Sequence, residues 1–112
     1  LVPQNQYPFS KGWLVNKHVV LKKTRLKKVK GISVNEITTD PKKVKFYTEH
    51  FAPVVESMEG AALHYVCLME NVPFIQLRAV SNYIAERNKK NWNMKASIFN
   101  LNAELIRLLE KI

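Results

Sequence analysis

Two short stretches set polar and ionisable side chains directly behind apolar runs. Glu56-Ser57-Met58-Glu59-Gly60 follows Val54-Val55, and Arg78-Ala79-Val80-Ser81-Asn82 closes the run from Pro73. In α/β proteins ligands collect at the carboxyl ends of strands, where loops and helix N-termini converge. A polar group left unpaired in such a place is costly, so each of these side chains needs a partner from the protein or from a ligand. A plainer reading stands beside the functional one. Glu59 can cap the helix that opens at Gly60, Asn82 can organise a turn, and Met58 can be core. The remaining reactive residues form no constellation. His18, His50 and His64 have neither mutual ligand spacing nor a match with Cys67, and His64 lies in an apolar helix pattern, so no metal, no cofactor and no covalent nucleophile are expected.

The elements that must carry these corners alternate between strand and helix. Residues 1–15, with Pro3, Pro8 and Gly12 among aromatics, read as an irregular loop. Residues 17–28 are good helix formers behind Asn16, although Val19, Val20, Leu21 and Leu26 make only a ragged stripe. Val29 to Ile37 reads as a strand entered through Gly31 and closed by Thr38-Thr39. Asp40-Pro41 is an N-cap followed by a proline in the first helical turn, which predicts a helix through His50. Pro53 interrupts, and Val54-Val55 begin a short buried strand. Residues 60–71 suit a helix stopped by Asn71. Residues 73–81 give the clearest strand, apolar enough to be covered on both faces. A polar loop spans 82–93. Met94, Ile98, Leu101, Leu105, Leu108 and Ile112 then recur at helical spacing.

Such alternation indicates a layered α/β protein. About three strands are too few for a buried sheet, so the elements read as part of a larger one. A start at Leu1 and not Met is what a fragment or a processed product would show.

The wording of the two corners, Val54 to Ala62 followed about twenty residues later by Arg78-Ala79-Val80-Ser81-Asn82, resembles the nucleoside phosphorylase and nucleosidase superfamily, and within it the futalosine hydrolases. Lys11 to Asn16, Val34 to Thr39 and Arg87 to Trp92 add to the resemblance, which covers nearly the whole chain. It implies a three-layer αβα sandwich around a central mixed sheet, of which this chain is the C-terminal half, the N-terminal half being absent. It also implies cleavage of an N-ribosidic bond, in which positive charge develops on the sugar and negative charge flows into the departing purine.

On that resemblance, Glu59 accepts hydrogen bonds from ribose hydroxyls, Met58 packs beneath the sugar, and Ser81 and Arg78 support the site. Trp92 stacks on the base or serves as plain packing. Methylthioadenosine nucleosidases carry Asp where this chain has Asn82. An amide offers one donor and one acceptor, which suits a 6-oxopurine, so hypoxanthine is the expected leaving group. The implied activity is release of hypoxanthine from futalosine in menaquinone biosynthesis; a methylthioadenosine/adenosylhomocysteine nucleosidase or a purine nucleoside phosphorylase is the alternative. The implied partners are a small purine nucleoside and further copies of the chain. The half domain alone is expected to be poorly stable and inactive.

Charge sets a rival of another class. The chain has 112 residues and a formal charge of +9, yet residues 11–30 hold eight basic side chains and no acidic one, leaving ten basic against nine acidic elsewhere. Clustered lysines attract phosphates, so the basic segment 17–30 could make the chain a nucleic-acid-binding or interaction module. It has no interleaved aromatics and no base-reading motif, and a solvated face is the commoner outcome. In an enzyme, the same lysines could attract the carboxylate of a substrate. An apolar share of 46% excludes a disordered tail. No run is long enough to span a membrane and the N-terminus is no signal peptide. A single Cys67 fits a reducing cytoplasm.

Overall fold

A computed structural model describes residues 5–84 and 88–112. Pro3 of the opening loop and Arg87 of the Arg87 to Trp92 stretch lie outside the described residues. A β-α-β unit comes first. Strand β1 (Gly31–Ser33) leads through helix α1 (Pro41–Phe51) to strand β2 (Val55–Ser57), and the two strands pair in parallel with Gly31 opposite Val55, Ile32 opposite Glu56 and Ser33 opposite Ser57. The Val34 amide continues the ladder for one bond, donating to the Ser57 carbonyl at 2.9 Å. Helix α2 (Gly60–Met69) follows at once, and helix α3 (Met94–Lys111) closes the chain.

Local chemistry explains where the helices begin and end. The Asp40 carboxylate accepts the Lys42 amide at 2.9 Å and Pro41 opens α1, so the expected cap and proline are both in place. Ala52, at φ 45°, ends it, one residue beyond the expected His50–Phe51 boundary. Asn71 stops α2 as anticipated. It adopts φ 54°, its amide reaches the Leu68 carbonyl at 3.3 Å, and the Val72 amide reaches the Cys67 carbonyl at 2.8 Å. This doubly bonded left-handed cap satisfies carbonyls that the helix would leave orphaned.

The strand expected from Val29 to Ile37 is only Gly31–Ser33, and Val54, expected in a buried strand, is 68% exposed and precedes β2. Two further expectations need correction. Residues 17–28 are not a helix; only a 3-10 turn forms, over Val19–Lys22. The His18 ring accepts the Val20 amide and the Thr24 hydroxyl accepts the Leu26 amide, each at 3.1 Å, and such local bonds compete with helix propagation. The cations here also lack acidic neighbours one turn away. Arg25 instead pairs with Glu104 on α3, 79 residues along the chain.

The second correction concerns 73–81, which runs without regular structure and forms no ladder with another strand among the described residues. A strand exists only through its neighbour, and apolar alternation cannot supply one. The segment is held by single bonds from elsewhere in the chain instead. Asn16 Nδ2 donates to the Phe74 carbonyl at 2.6 Å, the Asn93 amide donates to the Ser81 carbonyl at 2.7 Å, and the Ser97 hydroxyl lies 2.7 Å from the Val80 carbonyl. The observed sheet therefore has two strands, not three. The loop before β1 ties the helices together, with Phe9 against Tyr65 at 5.9 Å and Trp13 edge-on to Phe51 at 6.1 Å between ring centroids.

The chain exposes far more surface than a folded protein of its size. Its accessible area is 9,165 Å², against about 6,300 Å² expected for a compact 13.0 kDa monomer. Among the described apolar residues other than proline and glycine, only Val20 and Leu108 are buried. Along α3, the expected stripe is covered at Leu108 and half-covered at Leu101, whereas its members Met94, Ile98 and Leu105 are exposed, as are Phe99, Ile106 and Leu109 outside it, so this chain covers only part of the helix's apolar surface. No described helix is long and apolar enough to cross a membrane.

Candidate active site

The parallel register of β1 and β2 decides the chemistry of the first corner. Because Ser33 stands opposite Ser57 at the strand ends, both hydroxyls meet the start of α2. Ser57 Oγ accepts the Gly60 amide at 3.2 Å and Ser33 Oγ accepts the Ala61 amide at 2.7 Å. These are the orphan donors that an N-cap side chain normally serves. Glu59, at the cap position itself, makes no side-chain capping bond and is exposed. The plainer reading of Glu59 as the helix cap is therefore corrected: two serines do that work. Met58 beside it is 50% exposed and is not core.

Glu56 has a different role from Glu59. Its carboxylate accepts the hydroxyl of the buried Thr38. A buried hydroxyl must find such a partner, and this bond fixes Glu56 inside the unit.

A second cluster sits against the start of α2. Gln76 Nε2 donates to the Gly60 carbonyl at 2.6 Å and also touches His64 Nδ1, while Arg78 donates to Gln76 Oε1 at 3.1 Å. Alternation along the extended segment puts Phe74, Gln76 and Arg78 on one side, and Phe74 meets the His64 ring edge-on at 4.7 Å. Gly60 is required here by space. A Cβ on it would stand 2.7 Å from Ser57 Oγ and 3.1 Å from Gln76 Oε1.

Ser81 and Asn82 lie farther along, in an open hollow of about 440 Å³ lined by Val80, Ser81, Asn82, Tyr83 and Asn91. That volume falls in the range of small-molecule sites. Ser81 donates to Asn82 Oδ1, and Asn82 Nδ2 donates to the Tyr83 carbonyl at 2.9 Å. Asn82 thus organises its turn, as the plainer reading held, and lines the hollow as well. Trp92 is half-buried beside Asn91, with the Lys89 ammonium 6.0 Å from its ring centroid, and it does not line the hollow.

Five of the six sequence-derived residues therefore fall into two groups joined by one extended segment, Met58, Glu59 and Arg78 around the α2 start and Ser81 and Asn82 in the hollow, while Trp92 belongs to neither. Ser33, Gln76, Tyr83 and Asn91 went unnoticed in the sequence. Gln76 had a signal, a polar residue two before Arg78 in an otherwise apolar run, hence on the same side of it. Ser33 had none, because only strand register brings it to Ala61.

No group of three or more metal-binding side chains occurs among the described residues. The perturbed ionisable groups stand away from both clusters. Hydrogen bonding from Arg25 holds the Glu104 carboxyl below the usual range, and Lys43 does the same for Glu36. The cations of the basic segment are exposed, and Lys23 and Arg25 line a shallow groove together with Glu104, Arg107 and Lys111.

Comparison with known proteins gives two findings. The family model of the phosphorylase superfamily matches residues 7–111. The chain is also similar to the futalosine hydrolase of Thermus thermophilus, 31% identical over 84 residues, which cover 75% of this chain and 37% of that relative. The chain thus matches little more than a third of that relative's length. No solved structure matches.

Proposed function

Since the chain belongs to the phosphorylase superfamily, we propose that it is the C-terminal half of a purine nucleosidase domain, a futalosine hydrolase-like N-ribosyl hydrolase that releases hypoxanthine. The observation that carries this reading is the release of Glu59 from capping duty by Ser57 and Ser33. An exposed carboxylate with no structural task, at the end of a strand and at a helix start, is an acceptor held ready for ligand hydroxyls.

In this proposal the missing half completes a three-layer αβα sandwich and supplies the carboxylate that activates water. The glycosidic C–N bond breaks with its electron pair passing to the purine nitrogen. Water bonds to the sugar carbon, and its proton ends on the purine. Glu59 grips the ribose as charge develops there, and Met58 packs below it. Asn82 reads the oxo group and ring N–H of hypoxanthine with its amide, across a hollow of suitable size. Ser81 holds that amide, Arg78 acts beside Gly60, and Trp92, outside the hollow, serves as packing. Copies of the completed domain associate through their remaining apolar surface.

The test is to incubate the full-length protein with futalosine and follow hypoxanthine by chromatography, with methylthioadenosine and, in the presence of phosphate, inosine as competing substrates. Hypoxanthine release without phosphate supports the reading. Adenine release from methylthioadenosine alone, or strict dependence on phosphate, overturns it.

A further inference from the structure

We propose that the groove between the basic segment and the C-terminal part of α3 is a track for the phosphate backbone of a nucleic acid, a binding function separate from the nucleoside site.

The fold builds this groove from parts far apart in sequence. Lys23, Thr24 and Arg25 line it together with Glu104, Arg107, Leu108 and Lys111, and the Arg25 guanidinium bonds the Glu104 carboxylate across 79 residues. The α3 members recur at i, i+3, i+4 and i+7, so they form one face of that helix, with Leu108 buried in it. Arg107 stands 3.8 Å from the same Glu104 carboxylate, and Lys23 and Lys111 form no ion pair among the described residues. The lining thus carries four cations against one carboxylate, a net +3.

Folding does not neutralise the basic segment. Of the eight cations in residues 11–30, Arg25 is the single one in an ion pair among the described residues, and Lys22, Lys27 and Lys28 are exposed beside it in sequence. For that one carboxylate, α3 contributes two further cations, Arg107 and Lys111. Like charges gathered in this way repel one another, and a polyanion relieves the repulsion while its own condensed counterions are released.

Shape and lining select the class of polyanion. The groove is too shallow to enclose a small molecule, so its ligand is an extended one. Its one apolar lining residue, Leu108, is 4% exposed, which leaves no foothold inside the groove for an acyl chain or for an apolar anchor of a peptide. What the groove offers is charge. Backbone phosphates follow one another closely and are held by cations without any reading of bases, so no base-reading motif is required.

The test is fluorescence anisotropy of the full-length protein with a labelled mixed-sequence DNA duplex of about 20 base pairs, at about 50 and about 200 mM salt. Binding is expected at the lower salt and should weaken about 100-fold at the higher, as about four phosphate contacts require. Arg107→Gln with Lys111→Gln, both outside the basic segment, should weaken binding about 10-fold and make the salt slope shallower by about two. Lys42→Gln with Lys45→Gln removes the same charge from α1 and should change affinity by less than about threefold. Should the α3 pair fail to fold, Lys23→Gln on the other side of the groove is expected to make the slope shallower by about one. Absence of binding at the lower salt, equal losses from the α1 and α3 pairs, or an unchanged slope in the groove variants overturns the proposal. So does tighter association with phosphatidylserine vesicles or polyglutamate than with the duplex at equal anionic charge. The groove residues lie outside the proposed nucleoside site, so failure of the nucleosidase reading leaves this test standing.

Discussion

Ser33 Oγ accepts the Ala61 amide at 2.7 Å across 28 residues of sequence, so a hydroxyl on one strand caps a helix that follows the other. With Ser57 on the Gly60 amide, this leaves the Glu59 carboxylate outside the structural accounting of α2. On the proposed reading, stability and ligand binding at this corner fall to different side chains, and substitutions can separate them.

Glu59→Gln in the full-length protein is expected to lower kcat/KM for nucleoside hydrolysis at least 100-fold while leaving unfolding free energy within about 0.5 kcal/mol of the parent. Kinetics paired with urea denaturation checks both halves. A loss of stability with intact kinetics would return Glu59 to the role of a cap.

Ser33→Ala should do the reverse. Losing a cap costs about 1 kcal/mol, seen as a lower urea midpoint at constant slope. Unchanged stability would mean that Ser57 alone satisfies the start of α2.

Asn82→Asp is expected to move preference from 6-oxopurine toward 6-aminopurine nucleosides. The ratio of kcat/KM values for the two should change by 10-fold or more, since each mismatch leaves a buried polar group unpaired. Equal losses on both substrates would assign Asn82 to its turn alone, where it already donates to the Tyr83 carbonyl.

The pair between Arg25 and Glu104 predicts a pH signature. Hydrogen bonding from Arg25 lowers the Glu104 pKa in the folded chain. A lowered carboxyl pKa contributes stability that is present above the unfolded value, about 4.3, and is lost as pH falls through the folded one. Denaturation midpoints of the parent and Glu104→Gln should therefore differ at pH 7 and converge in acid below that range. A constant difference would show that the pair adds no pH-dependent stability. Both groups are solvent-accessible, so high salt should narrow the gap.

The 112-residue chain by itself should bind a hydrophobic dye, elute larger than a monomer and release no hypoxanthine. Its accessible area exceeds the expectation for its mass by about 2,800 Å², and outward-facing residues of α3 supply part of it. Monomeric elution without dye binding would mean that the chain covers this surface by itself.

What could be read in the sequence was local. Asp40 with Pro41, Asn71, and the spacing from Met94 to Leu108 act within a turn or two of the chain, and each helix they define is present. Residues 17–28 misled because good helix formers there meet competing bonds from His18 and Thr24, and because Arg25 finds its partner on α3. The run at 73–81 misled because its composition calls for burial and pairing, and this chain supplies neither, for Val80 is 65% exposed and no ladder forms among the described residues.

The two corners that carry the proposed chemistry were likewise visible as residue types, for a carboxylate and an amide behind apolar runs need no structure to be noticed. Their division of labour was not visible. Whether Glu59 caps or binds depends on a serine delivered by strand register, and whether Arg78 reaches the helix start depends on an amide clamped between Gly60 and His64. Sequence by itself determined which groups are available and where helices start. Tertiary structure decided which donors each group already satisfies, because hydrogen bonds form between neighbours in space, so that two serines leave Glu59 clear while Asn82 keeps its turn and lines the hollow as well.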